Sequence, residues 1–137
     1  MQPATVHAIV VDDNQDVRDS MVMVLELMGC TARALETAEE ALVLLTNPES
    51  RPSVGVAFID VSLPGMSGFE LATALRASAR ERRSGPISTL LVAMTGWGTE
   101  ADRERALDAG FDTHVVKPLD MNALQALLDA ARSRPAR

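Results

Sequence analysis

The chain has 137 residues, 47% hydrophobic and 23% charged, and a net charge of −6. That length suits one domain around one core, and the acidic balance argues against a nucleic-acid-binding surface. No apolar run approaches the ~20 residues needed to cross a bilayer and no signal peptide is visible, while a single cysteine excludes an intrachain disulfide and fits a reducing, cytoplasmic setting.

The first apolar run, Val6–Val11, reads as a strand and ends in Asp12-Asp13-Asn14. Asp16 is placed to cap a helix whose apolar positions Val17, Met21, Val24, Leu25 and Met28 share one face. Gly29 stops it. Cys30 then enters a mixed-polarity strand, Thr31–Leu35, suited to a sheet edge, and is expected to be a buried structural residue. Thr37-x-x-Glu40 is a capping box for a second helix that turns Ala38, Ala41, Leu42 and Leu45 inward and ends at Asn47-Pro48.

A third strand runs through VGVAFID and ends at Asp60, followed by a loop with Pro64, Gly65 and Gly68. An apolar strand of this kind is buried on both faces, as in a parallel sheet. The third helix starts near Gly68 with Phe69, Ala72 and Leu75 inward, and fades into a basic loop, Arg80–Arg83. Ile87–Met94 is the fourth strand, Thr95-Gly96-Trp97-Gly98 a tight loop, and about Thr99–Ala109 a polar fourth helix stopped by Gly110. Thr113–Val116 is the fifth strand, followed by Lys117-Pro118. The last helix places Met121, Leu124, Leu127, Leu128 and Ala131 on one face. No repeat or second domain is visible, so residues 1–137 read as a single domain with its core in 6–132.

Five β-α alternations predict a doubly wound α/β domain, a five-stranded parallel sheet in the order 2-1-3-4-5. Strands one and three are then neighbours, and ligands bind at the carboxyl ends where the order reverses. Asp12, Asp13 and Asp60 meet there. Strand four adds Thr95 and strand five adds Lys117. Clustered carboxylates demand a cation. With no His or Cys set, hard oxygen ligands point to Mg2+ and away from zinc. Mg2+, a lysine and a hydroxyl describe a phosphoryl pocket, in which a carboxylate nucleophile forms an aspartyl phosphate. Each of these residues has a plain structural role when taken alone: an Asx-turn, a cap, a solvated charge. Four such roles coinciding at four strand ends is what singles out the site.

The stretches VVDDN at 10–14, FIDVSLPGMSGFEL at 58–71, MTG at 94–96 and VVKP at 115–118 resemble the receiver domain of bacterial two-component response regulators. The resemblance covers nearly the whole chain and implies the flavodoxin-like (βα)5 fold. It implies that Asp60 accepts a phosphoryl group from a histidine kinase or histidine phosphotransfer protein. Asp13 would bind Mg2+ directly and Asp12 through water, with the Ser62 backbone carbonyl as a further ligand. Thr95 would move toward the phosphate, Lys117 would bridge phosphate and acidic pair, and the Lys117–Pro118 peptide would be cis. The fourth helix, fifth strand and fifth helix would then change shape to engage a downstream protein partner. Two positions depart from the pattern or tune it. His114 stands at the switch position, where the family usually has Tyr or Phe. Ser62 and Trp97 flank the site, and a bulky Trp97 is expected to shield the acyl phosphate from water. TGWG and GFDTHVVKP also resemble receivers fused to hybrid sensor kinases.

Two other readings are weaker. A Mg2+-dependent phosphatase of the haloacid-dehalogenase type would need a D-x-D motif and a cap, and here Asp60 is followed by Val61-Ser62. A pseudo-receiver that binds partners without phosphorylation would not need all five key residues. The chain is accordingly expected to be a phosphoacceptor signalling domain and not an enzyme, without nucleic acid or membrane insertion.

Overall fold

The computed structural model describes residues 6–47, 54–82, 89–96, 98–117 and 119–133. Strands and helices alternate strictly: β1 (His7–Val11), α1 (Gln15–Leu27), β2 (Thr31–Leu35), α2 (Ala38–Thr46), β3 (Val56–Asp60), α3 (Gly68–Arg82), β4 (Leu90–Thr95), α4 (Glu100–Ala109), β5 (Thr113–Val116) and α5 (Met121–Ser133). The strands pair in parallel in the order β2-β1-β3-β4-β5, as the alternation requires. β2 is an edge, which explains its mixed polarity.

Side chains of a strand point alternately to its two faces, and the core divides accordingly. Ile9, Val11, Ala57, Ile59, Leu91 and Ala93 pack with α2, α3 and Ala106 of α4. Ala8, Val10, Val56, Phe58, Val92 and Met94 pack with Met21 and Leu25 of α1 and with Leu124 and Leu128 of α5. Helices therefore cover both faces, and β3 and β4 are buried along their whole length. Phe58 is fully buried, and its loss to alanine would cost about 3–5 kcal/mol.

Several local expectations shift. Asn14, not Asp16, caps α1: Asn14 is extended and its side chain accepts from the Val17 N–H, while Asp16 lies in the first turn, where its charge complements the helix dipole. Met121, the first residue of α5, is 55% exposed and not buried with the rest of the stripe. Arg80–Arg82 extend α3 and do not lie in a loop; Arg83 lies outside the described residues. Thr95 is the last residue of β4 and not the first of a loop. The expected start of that strand at Ile87 lies outside the described residues. The capping box holds: Thr37 Oγ1 accepts from Glu40 N, and Glu40 Oε1 accepts from Thr37 N. Thr99 caps α4, and Gly110 ends it at φ +117, a conformation that favours glycine. Only Ala106 of α4 is buried, in keeping with its weak apolar pattern. Cys30 is buried in the core, and desolvation raises its pKa, as for an inert thiol.

Candidate functional site

Strand register assembles the site. Val11 pairs with Ile59, so the next residues, Asp12 and Asp60, end adjacent strands side by side. Thr95 pairs with Val116, so Lys117 follows one step beyond β4's end, where its N–H donates to the Thr95 carbonyl at 2.8 Å. Carboxylate oxygens of Asp12, Asp13 and Asp60 all come within 4.8 Å of one another. Asp12 is fully buried, Asp60 nearly so, and Asp13 is exposed.

The two buried aspartates are held in the same way. Asp12 Oδ1 accepts from the Asn14 N–H and Asp60 Oδ1 from the Ser62 N–H, both at 2.9 Å. Each Oδ2 accepts from Lys117 Nζ, at 2.6 Å for Asp12 and 3.2 Å for Asp60. The Asx-turn reading of Asp60 and the site reading are thus both satisfied, one by each oxygen. Burial disfavours the Lys117 ammonium, but its hydrogen bond to Asp12 and the charges of Asp60 and Asp12 outweigh that, and its pKa is raised.

Three carboxylates with one ammonium leave a local negative excess. The cluster contains no His or Cys. Oxygen-only donors, one of them open to solvent, fit a hard divalent cation that keeps part of its water shell. Thr95 is buried at the same edge. His114 is half-buried on β5 and shares a face with Val116, which abuts Gly98. Trp97 and Pro118, and with Pro118 the expected cis bond, lie outside the described residues. An apolar groove of about 510 Å3 opens beside the site between Val17 and Val24 of α1 and Leu119 and Leu124, with Lys117 in its wall.

Three further residues support the site without being among its expected members. Gly68 passes so close to β3 that a Cβ there would sit 2.4 Å from the Asp60 carbonyl oxygen and 2.7 Å from Val61 Cα. Glu39 of α2 accepts from the Met66 N–H at 3.4 Å, touching the loop after Asp60. Arg18 Nη1 donates to the Asp12 carbonyl at 2.8 Å. The close approach at Gly68 is foreshadowed in the sequence by a glycine at a helix start, just after the loop that follows Asp60. The other two depend on rotamers that no spacing announces.

A chain of this topology with an acidic trio, a threonine and a lysine on one sheet edge is a receiver by fold and site together. A family match agrees: residues 8–129 match the response regulator receiver domain, and the chain belongs to that family. It is similar to the two-component response regulator PhoP of Pseudomonas aeruginosa, 34% identical over 126 residues, covering 92% of this chain and 51% of that protein. The chain thus spans about half the length of that relative. Among solved structures it resembles the receiver domain of Saccharomyces cerevisiae Ssk1, determined with the histidine phosphotransfer protein Ypd1 (TM-score 0.78, 20% identity, 91% of this chain and 87% of that one). It also resembles the receiver domain of the Pseudomonas aeruginosa sensor histidine kinase PA1611, determined with magnesium in its active-site cleft (TM-score 0.77, 22% identity, 94% and 98% covered). The family is one of signalling domains, which favours the receiver reading over the phosphatase. No described helix is long and apolar enough to cross a membrane.

Proposed function

We propose that Asp60 is the phosphoacceptor of a two-component system, taking its phosphoryl group from a phosphohistidine of a sensor kinase or phosphotransfer protein. The observation that carries this reading is the bridge from Lys117 to both Asp12 and Asp60, with Asp13 alongside. An Asp60 carboxylate oxygen attacks phosphorus. The P–O bond forms as the P–N bond of the donor breaks, and the electron pair leaves with the donor's imidazole nitrogen. Asp13, Asp60 and the Ser62 carbonyl, with Asp12 through water, would hold Mg2+, which would supply charge neutralisation for the transferring group. Lys117 sits farther from Asp60 than from Asp12, so it can turn to a phosphoryl oxygen while keeping its shorter bond. Thr95 offers its hydroxyl to the same group. His114 follows the vacated space, and the α4-β5-α5 face changes for a downstream protein partner. Residues 1–137 form one receiver domain, cytoplasmic, modified by transfer without turning over a substrate. Trp97 and Ser62 tune the lifetime of the aspartyl phosphate.

Intact mass after incubation with Mg2+ and acetyl phosphate tests this reading. Wild type gains one phosphoryl group only with Mg2+, and Asp60→Asn gains none. A gain that persists in Asp60→Asn would move the acceptor elsewhere. No gain from acetyl phosphate or from phosphorylated kinase or phosphotransfer proteins would leave a partner-binding pseudo-receiver.

A further inference from the structure

Arg18 lies in the second turn of α1 and is half-buried. Its guanidinium forms no ion pair among the described residues, although a cluster of three carboxylates begins at Asp12. Its Nη1 donates instead to the neutral carbonyl of Asp12, at 2.8 Å. That oxygen belongs to the peptide joining Asp12 to Asp13. A peptide unit is rigid, so holding its oxygen also fixes the direction in which the Asp13 backbone leaves.

The two aspartates differ in how much help they need. Asp12 is already fixed three ways: its N–H donates to the Leu35 carbonyl, and its two carboxylate oxygens accept from the Asn14 N–H and from Lys117. Asp13 is exposed, and among the described residues no hydrogen bond reaches its carboxylate. Its place within 4.8 Å of the other two carboxylates therefore depends on its backbone.

We propose that Arg18 is a positioning residue: by holding the Asp12–Asp13 peptide it aims the Asp13 carboxylate at the Asp12–Asp60 pair and so sets the affinity for a divalent cation. This rests on reading the acidic cluster as a Mg2+ site. Charge and position predict opposite signs here. A guanidinium beside the cluster repels a cation, so removing its charge alone tightens Mg2+ binding. Losing the orientation of a ligand weakens it, by about 10–100-fold for groups one step out from a metal.

The test is a MgCl2 titration followed by backbone amide chemical shifts, with thermal melts in parallel, on wild type, Arg18→Met and Arg18→Lys. Arg18→Met is expected to bind Mg2+ about tenfold more weakly. Arg18→Lys recovers most of the affinity, because an ammonium still donates to the carbonyl. Unchanged or tighter binding in Arg18→Met overturns the proposal, and so does weakening that Arg18→Lys does not relieve. Wild type without any response to Mg2+ overturns the metal-site reading itself, and this inference with it. If Arg18→Met melts below the working temperature, Arg18→Leu, which likewise lacks a donor, makes the same comparison.

Discussion

Replacing Lys117 by methionine removes the cation that ties β5 to β1 and β3. The stem is kept in volume, so the loss is electrostatic. Asp12, with a side chain 1% exposed, loses a 2.6 Å partner; Asp60, 10% exposed, loses one at 3.2 Å. Removing one member of a fully buried pair costs about 3–5 kcal/mol. Here the lysine is a quarter exposed and water reaches Asp60, so about 2–3 kcal/mol is the appropriate figure. For a domain of this size that lowers the melting temperature by roughly 8 °C. The assay is thermal unfolding at neutral pH, with and without Mg2+. Added Mg2+ should restore part of the loss, because a divalent cation replaces the missing charge. A melting temperature within about 2 °C of wild type would refute the bridge as a stabilising contact. A loss that Mg2+ leaves untouched would refute the account of the acidic trio.

Other consequences can be checked alongside. The raised pKa of Lys117 means that the folded protein holds its proton more tightly than the unfolded chain; this stability is complete below the ordinary lysine value of 10.5 and lost as pH rises through the higher folded value. Alkaline melts of wild type should therefore fall more steeply than those of Lys117→Met. Gly68→Ala should cost at least about 2 kcal/mol in urea unfolding, since the new Cβ meets backbone that cannot swing aside; an unchanged midpoint would mean that α3 shifts freely. Thr95→Val, nearly isosteric, should accept phosphate from acetyl phosphate as wild type does but fail to change the amide shifts of α4 and β5; unaltered shift changes would remove Thr95 from the switch. Arg76→Met should speed hydrogen exchange at the carboxyl end of α4, because it removes a 2.8 Å bond to the Gly110 carbonyl.

The scaffold was legible because its signals are local. Thr37-x-x-Glu40, Gly110 after a polar helix and the fully apolar VAFI run each state their element without help from the rest of the fold. The site was legible for a topological reason: once the order is 2-1-3-4-5, polar residues that close consecutive strands must meet. What escaped depends on side-chain direction across elements. Asn14 and Asp16 both qualify as caps, and only the backbone angles at Asn14 decide between them. Met121 fits the helical stripe yet is exposed at the first position of α5. Arg18 looks like a solvated charge until its bond to the Asp12 carbonyl is seen. Arg80–Arg82 read as a loop because they are charged, lie past the apolar stripe of α3 and run into Ser84-Gly85-Pro86, although arginine and glutamate are good helix formers and the helix continues through them.

The carboxyl end of α4 is fastened to α3: Arg76 Nε donates to the Gly110 carbonyl, Thr73 Oγ1 to the Ala109 carbonyl at 3.1 Å, and Arg105 lies 4.2 Å over the Phe69 ring, which meets Phe111 edge-on. Asp112, just beyond, exchanges two bonds with Leu91 near the start of β4, accepting from its N–H at 2.8 Å and donating to its carbonyl at 2.9 Å. β4 is thereby tied near its amino end to the carboxyl end of α4, while Thr95 at its other end pairs with Val116 and accepts from the Lys117 N–H. If Thr95 moves on phosphorylation, as proposed, the displacement is expected at the amino end of α4 and not at its fastened carboxyl end. Under the proposed switch, α4 would tilt about that fastened end and change the surface it shares with β5.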